Sequence, residues 1–130
     1  MRKLLTLTTL VFSLTMMFSS TSYAEWTKVG ENVDGTFYLD FERIQKIDGY
    51  IYWWELRDFS KPDKSGILSA KGYIQGDCKL FRYKNLKLFG HEEPMGGGSG
   101  ETVTPPDKWE YSTPNSANYI ILKNICKIAN

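Results

Sequence analysis

The sequence predicts an α+β domain: a single antiparallel β-sheet of about six strands, with a C-terminal helix packed on it and tied to it by a disulfide. Three observations predict it. Short stretches rich in β-branched and aromatic residues alternate with turn residues from residue 26 to residue 111. Apolar residues take a three- and four-residue period only after Pro114. The chain has 2 cysteines, Cys78 and Cys126.

The first 24 residues have the pattern of a secretory signal peptide. Arg2 and Lys3 precede an apolar run from Leu4 to Phe18, and small residues end at Ala24. The run is shorter than the roughly 20 residues that a membrane-spanning helix needs. We therefore expect residues 1–24 to be removed, with no stable membrane insertion afterwards. Residues 25–130 would form one exported domain, periplasmic or secreted and able to associate with the cell surface.

The net charge gives no reason to expect a nucleic-acid partner. The full chain has Lys+Arg 16 and Asp+Glu 15, and loss of Arg2 and Lys3 leaves 14 against 15. A near-neutral domain has no general attraction for a polyanion. Lys79–Lys84 does interleave basic residues with aromatic rings, as single-strand platforms do. Export and neutrality argue against that interpretation.

The first half of the mature chain predicts strands joined by tight turns. Thr36–Asp40 alternates, so that Phe37 and Leu39 share one face. Tyr50–Phe59 is rich in aromatic and β-branched residues and is expected to be a central strand. The other predicted elements are a strand at Trp26–Gly30, a short crossing at Phe41–Arg43, a strand at Ile44–Asp48 with an Asp48-Gly49 hairpin turn, and a loop at Ser60–Gly66.

The second half predicts longer strands and one irregular segment. Ile67–Gln75 is expected to be a strand that turns at Gly76-Asp77 into a long strand, Cys78–Phe89. Neither face of that long strand is purely apolar, which predicts a bulge or an edge position. Gly90–Lys108 is expected to lack regular structure, and Trp109–Tyr111 to be briefly extended.

The chain should end in a helix with Pro114 in its first turn. Its apolar face is formed by Tyr119, Ile121, Leu122, Ile125, Cys126 and Ile128. Export favours oxidation of the two cysteines, and a disulfide would pin this helix to the start of the Cys78 strand. Closing a loop of 48 residues stabilises by roughly 4 kcal/mol in the chain-entropy model. Two buried free thiols are the alternative.

The glycine-rich stretch Pro94–Glu101 raises the question of whether this segment binds phosphate. It has neither the third glycine of a dinucleotide fingerprint nor the Gly-Lys pair of a P-loop, and Pro105-Pro106 follows instead of a helix. We therefore expect a mobile tip in which glycine supplies backbone freedom. It is a candidate interaction loop made of Met95, Gly96, Gly97, Gly98, Ser99 and Gly100.

Catalytic constellations are sparse. His91 is the only histidine and is expected to lie exposed in a loop, so no zinc site or His-dependent nucleophile is predicted. The carboxylate pairs Asp40/Glu42 and Glu55/Asp58 could serve a small hydrolase, which stays as an alternative. We expect no catalytic residue, no metal ligand and no cofactor. A role in maintaining the bacterial envelope is a second alternative.

Aromatic residues are the unusual feature of the composition: 4 Trp, 8 Tyr and 7 Phe. Core packing accounts for most of these rings. A surplus exposed on the sheet would be able to bind an extracellular or envelope protein or a glycan.

A last pattern is the order of several short motifs along the mature chain. They are Trp26, Tyr38–Asp40 followed by Ile44, Tyr52–Asp58, Ser69–Lys71, Asp77–Lys79 with Arg82, Met95–Glu101, Trp109, Pro114 with Ser116, and Cys126. In this order the chain resembles the surface-adhesin protein E-like family of exported bacterial proteins. The resemblance implies an antiparallel sheet with a disulfide-tied C-terminal helix, and attachment to host or environmental macromolecules. The matching residues are structural in type, so it assigns no ligand-binding residue.

Overall fold

The computed structural model describes residues 25–129, so the predicted signal peptide lies outside the described residues. One antiparallel sheet and one helix, α1, make up the fold. The strands are β1 Thr27–Asn32, β2 Gly35–Leu39, β3 Gln45–Ile47, β4 Tyr50–Phe59, β5 Ser69–Asp77, β6 Arg82–His91, β7 Gly100–Val103 and β8 Glu110–Tyr111, and α1 is Ala117–Ala129. Between residues 25 and 129, no helix is long and apolar enough to cross a membrane.

The strand order is β1-β2-β4-β5-β6-β7, and β4 lies near the centre as predicted. Two short strands extend the edges. β3 pairs with the first residues of β4 across the Asp48-Gly49 turn, while β2 pairs with its second half. β8 pairs with the start of β6, and β7 with its end. The predicted α+β sheet with a terminal helix is therefore confirmed.

Helix α1 covers one face of the sheet, which we call the helix face. Ile121, Leu122 and Ile125 are buried in the same apolar cluster as residues from β2, β4, β5 and β6. Those sheet residues are Phe37, Leu39, Ile51, Trp53, Ile74 and Tyr83. Ile128, which the helical period placed on the apolar face, is 51% exposed, because it lies in the last turn of the helix.

The Cys78–Cys126 disulfide is present, with Cα atoms 5.6 Å apart. Cys78, however, does not begin a strand. β5 continues through Gly76 and Asp77, and the turn follows at Cys78–Phe81, so the predicted Gly76-Asp77 turn is wrong. Gly76 is needed inside the strand because a Cβ there would lie 2.6 Å from Cζ3 of Trp53.

The predicted irregularity of the long strand is confirmed. Tyr73 pairs with Lys87 and Ile74 with Asn85, which leaves Leu86 of β6 as an extra residue. The strand runs Arg82–His91, beyond the predicted end at Phe89. It continues because Ile67 packs over Gly90, where a Cβ would lie 3.1 Å from Ile67 Cδ1.

Two further expectations were wrong. The segment Gly90–Lys108 has regular structure: the end of β6, a 3-10 turn at Pro94–Gly96, and β7. Helix α1 begins at Ala117, so Pro114 lies before its first turn. The hydroxyl of Ser116 accepts a hydrogen bond from the Tyr119 N–H at 3.2 Å and caps the helix.

Candidate functional site

Among residues 25–129 no helix covers the face of the sheet opposite α1, and we call the central part of that face the open face. The residues that belong to this face follow from the pairing register, because residues paired across neighbouring strands point to the same side. The side chains on this side of the sheet are Tyr50, Tyr52, Trp54, Leu56 and Asp58 of β4, Ser69, Lys71, Tyr73 and Gln75 of β5, and Arg82, Lys84, Lys87, Phe89 and His91 of β6. Leu56, Ser69 and His91 among them are buried.

A continuous series of aromatic rings crosses the three strands of the open face. Ring centroids are 6.1 Å apart for Tyr52 and Tyr73, 5.0 Å for Trp54 and Tyr73, and 6.2 Å for Trp54 and Phe89. These distances suit favourable ring pairs. All four rings are partly exposed, so they combine a fixed arrangement with surface available to a ligand.

Trp109 closes one end of the open face. Its ring centroid lies 5.6 Å from that of Tyr50. The guanidinium carbon of Arg82 lies 4.2 Å from the Trp109 centroid and Lys84 Nζ lies 4.9 Å from it, both within cation–π range. These contacts fix Trp109, although it belongs to the segment just before β8.

Arg82 is also paired with a carboxylate. Its Nε donates to Asp77 Oδ2 at 2.9 Å. Burial opposes ionisation of Asp77, but this bond and the backbone N–H groups of Leu80 and Lys79 hold the pKa of its carboxyl below the ordinary value. The charge of Arg82 is therefore compensated within the protein.

Two lysines of the open face have no such compensation. In the register, Lys71 lies opposite Phe89, and Lys87 lies opposite Tyr73. Across the described part of the chain, neither ammonium group has a carboxylate within 4.0 Å. Lys84 reaches Asp107 at 3.1 Å, but the Asp107 side chain is 91% exposed, so this pair contributes little. The open face thus has an excess of positive charge among its rings.

The predicted interaction loop, Met95–Gly100, closes the opposite end. Ser69 Oγ donates to the Glu93 carbonyl at 2.6 Å and accepts from the Gly96 N–H at 2.8 Å. Asp58 Oδ1 accepts from the Met95 N–H at 2.8 Å. The loop is therefore bonded to the sheet, in contrast to the freely mobile tip that the glycine content suggested. Its role in binding stays a prediction.

His91 lies beneath this loop and is 5% exposed, so the expectation of an exposed histidine was wrong. Its Nδ1 is 3.2 Å from the Gly97 carbonyl oxygen, and its ring packs against Gly100. The sequence predicts a loop at His91, but β6 continues through this residue and holds its side chain under the Met95–Gly100 loop. Within residues 25–129, no three His, Cys, Asp or Glu side chains come together in a group able to hold a metal ion.

The helix face has its own polar cluster where α1 begins over the sheet. Glu55 accepts from Trp53 Nε1 at 3.2 Å and from Arg57 Nε at 2.8 Å, and Arg57 also donates to Asn118. Burial opposes the charge of Arg57, but the Glu55 carboxylate more than offsets it and raises the pKa of the guanidinium.

A pocket of about 390 Å³ adjoins this cluster. Tyr83 and Glu110 are among its lining residues. Burial, with the nearby Glu110 carboxylate, raises the pKa of the Tyr83 phenol. Glu55 and Arg57 are bonded to one another in this pocket, and Glu110 accepts a hydrogen bond from Asn85 at 3.1 Å.

The carboxylate pairs considered for a hydrolase do not converge. Glu55 points to the helix face and Asp58 to the open face, because they are three residues apart on β4. Asp40 is buried, where it accepts from the Glu42 N–H at 3.2 Å and pairs with Arg43 at 3.2 Å. Asp40, Glu55 and Asp58 have structural partners, while the Glu42 side chain is exposed.

The basic and aromatic residues of Lys79–Lys84 also separate. Phe81 packs against Tyr119 of α1 with centroids 5.4 Å apart, and Tyr83 belongs to the core. Arg82 and Lys84 lie on the open face. The series that does form, Tyr52, Trp54, Tyr73 and Phe89, was not identified as a site. The two-residue alternation of Tyr50–Phe59 was the signal that separates its rings into two faces.

Comparison with known proteins agrees with this architecture. The family model described as "Surface-adhesin protein E" matches residues 26–127. Two structures of Haemophilus influenzae protein E superpose with TM-scores of 0.63 and 0.59, at 15% and 14% identity. Both superpositions cover 84% of this chain. They cover 92% of the first protein E chain and 89% of the second. A third, from non-typeable H. influenzae, has a TM-score of 0.56 at 14% identity, covering 83% of this chain and 79% of its own. A search of curated proteins gives no match.

Proposed function

We propose that this chain, which belongs to the surface-adhesin protein E family, is an exported, non-enzymatic binding protein of the adhesion type. Its partner would be an extracellular or envelope macromolecule. The observation that carries the proposal is the open face: partly exposed rings from three neighbouring strands, beside lysines that have no carboxylate partner within residues 25–129.

The arrangement of the open face suits binding. Its rings are held by neighbouring rings and by β-strands, so a ligand would meet a surface that is already ordered. Aromatic side chains offer large contact areas at low conformational cost. The polar cluster of the helix face is satisfied internally by Glu55, Arg57 and Asn118. The open face is therefore the better candidate for recognition.

Export is the second part of the proposal. It is supported by the signal-peptide pattern of residues 1–24 and by the Cys78–Cys126 disulfide, which is typical of oxidising compartments. Fractionation of the native cell into cytoplasm, periplasm, surface and medium tests it. Recovery of the full-length, uncleaved chain in the cytoplasm would contradict it.

The binding test uses purified residues 25–130 against a panel of extracellular-matrix proteins, glycans and envelope components. We expect binding at micromolar concentration to at least one of them, and weaker binding by Trp54→Ala and Tyr73→Ala. Leu80→Ala is the matched control, since Leu80 is an exposed apolar residue in the β5–β6 turn, off the open face. No binding above background would overturn the proposal.

A further inference from the structure

We propose that the open face binds an acidic polysaccharide, a chain of pyranose rings with carboxylate or sulfate groups. This rests on the proposed function and names the chemical class of its ligand.

Lys71 and Lys87 of the open face each lie beside an aromatic ring on a neighbouring strand. One cross-strand row is Trp54, Tyr73 and Lys87, and the next is Leu56, Lys71 and Phe89. In chain order Tyr73 follows Lys71 along β5, and Phe89 follows Lys87 along β6. Neighbouring rings and cations suit a polymer whose units present both an apolar surface and an anionic group.

The charge of the face is complementary to an anion. Its carboxylates already have partners: Asp58 accepts from the Met95 N–H, and neighbouring Asp77 pairs with Arg82. Lys71 and Lys87 remain without acidic partners among the described side chains. Because the mature chain is nearly neutral as a whole, this excess is local and would orient an anionic ligand over the rings.

The available groups favour a polysaccharide over an acidic peptide. An extended peptide usually binds by adding a strand to a free sheet edge. The central backbone of the open face is already bonded, because β5 pairs along its length with β4 and β6. The face offers ring surfaces and polar tips, such as Gln75 Nε2, which donates to the Tyr52 hydroxyl at 3.0 Å. Pyranose C–H surfaces pack on aromatic rings, and their hydroxyl groups hydrogen-bond with such tips.

The accessible part of the face is long enough for a short run of sugar units. From Tyr50 to Trp54, the last partly exposed ring before the buried Leu56, strand β4 advances about 13 Å at 3.3 Å per residue. Trp109 stands at one end and the Met95–Gly100 loop at the other. The rings between them are held by one another, so a stiff chain would bind with little loss of conformational freedom on either side.

The test measures the Kd of residues 25–130 by isothermal titration calorimetry. The probes are hyaluronan for carboxylates, dextran sulfate for sulfates, dextran as the neutral polymer, and poly-L-glutamate as the acidic peptide. We expect binding of at least one acidic polysaccharide that weakens as salt rises, and weak or no binding of dextran and poly-L-glutamate. Equal affinity for poly-L-glutamate, or for dextran, would overturn the inference.

Variants locate the binding. K71Q/K87Q should raise the Kd for the acidic polysaccharide by about tenfold or more, which corresponds to about 1.4 kcal/mol. K61Q/K64Q removes the same charge from the β4–β5 loop and should change the Kd by less than about twofold. K87Q alone keeps the test valid if K71Q disturbs the packing of the Lys71 stem on Gly96, since Lys87 is exposed. Equal effects of the two double variants would overturn the inference.

The outcomes separate this inference from the proposed function. If acidic polysaccharides fail to bind while Trp54→Ala weakens binding to another member of the panel, the ligand class is wrong and the binding role stands. If no panel member binds at all, both fail. Melting curves by circular dichroism confirm that each variant is folded.

Discussion

The two faces of the sheet use the same residue types for different purposes. Trp53 and Trp54 are adjacent in the chain, yet Trp53 is 1% exposed under α1, while Trp54 is partly exposed beside Tyr73 and Phe89. Aromatic content alone does not distinguish them. The alternation of a β-strand assigns one ring to the core and the next to the surface.

The charged residues show the same contrast. On the helix face, Glu55 and Arg57 satisfy each other and extend the network to Trp53 and Asn118. On the open face, Lys71 and Lys87 lie among rings without acidic partners in the described chain. A cation that the fold leaves uncompensated is available to an external anion. The difference between the faces is therefore better evidence of function than the composition is.

The largest effect should come from Trp53→Ala compared with Trp54→Ala. Trp53→Ala should lower the free energy of unfolding by about 3–5 kcal/mol, because it leaves a cavity under α1 and removes a hydrogen bond to Glu55. Trp54→Ala should cost about 1–2 kcal/mol, from two lost ring pairs. Chemical denaturation measures both values.

The binding assay should rank the same two variants in the opposite order. At a temperature where both are folded, Trp54→Ala should bind the open-face ligand more weakly than Trp53→Ala does. Equal losses of stability for the two substitutions would contradict the division of the sheet into a core face and a binding face.

Removing the disulfide should have the next largest effect and should act on the helix face. Cys78→Ser with Cys126→Ser is expected to lower the free energy of unfolding by about 2–4 kcal/mol, because a 48-residue loop is released in the unfolded state. Thermal and denaturant unfolding measure the loss. The folded variant should bind the open-face ligand as the parent does, since neither cysteine lies on that face. Loss of binding in a folded variant would show that the two faces are coupled.

Strands with clear alternation could be predicted well from the sequence. Tyr50–Phe59 matches β4 at both ends, and Phe37 and Leu39 share the core face as expected. The predicted strand bounds fail at two glycines that act as turn signals in a local pattern. Gly76 and Gly90 lie inside strands because Trp53 and Ile67 pack over them. A local pattern cannot reveal such packing, since the partner residue is distant in the sequence.

The site was predictable only in part for the same reason. The sequence indicated a surplus of aromatic rings on the sheet, but the pairing of Trp54 with Tyr73 and Phe89 depends on the register of three strands. The bulge at Leu86 shifts that register by one residue. Without it, Lys87 would point to the helix face.

The smallest of the three effects concerns the loop Met95–Gly100, which borders the open face. Gly96 and Gly98 have φ of 71° and 70°, in the left-handed region where a Cβ is disfavoured. Gly96→Ala and Gly98→Ala should each lower the free energy of unfolding by about 1–2 kcal/mol. Ser99→Ala, in the same loop, serves as the control with little change.

A Cβ at Gly96 would also lie 2.6 Å from Lys71 Cε and displace that side chain, whereas one at Gly98 would meet Glu93. Gly96→Ala should therefore weaken binding of an anionic ligand as well, and Gly98→Ala should leave it nearly unchanged. Melting curves and calorimetric titrations measure the two quantities separately. Unchanged melting temperatures in both glycine variants would mean that the loop is free of the sheet, as the sequence alone suggested.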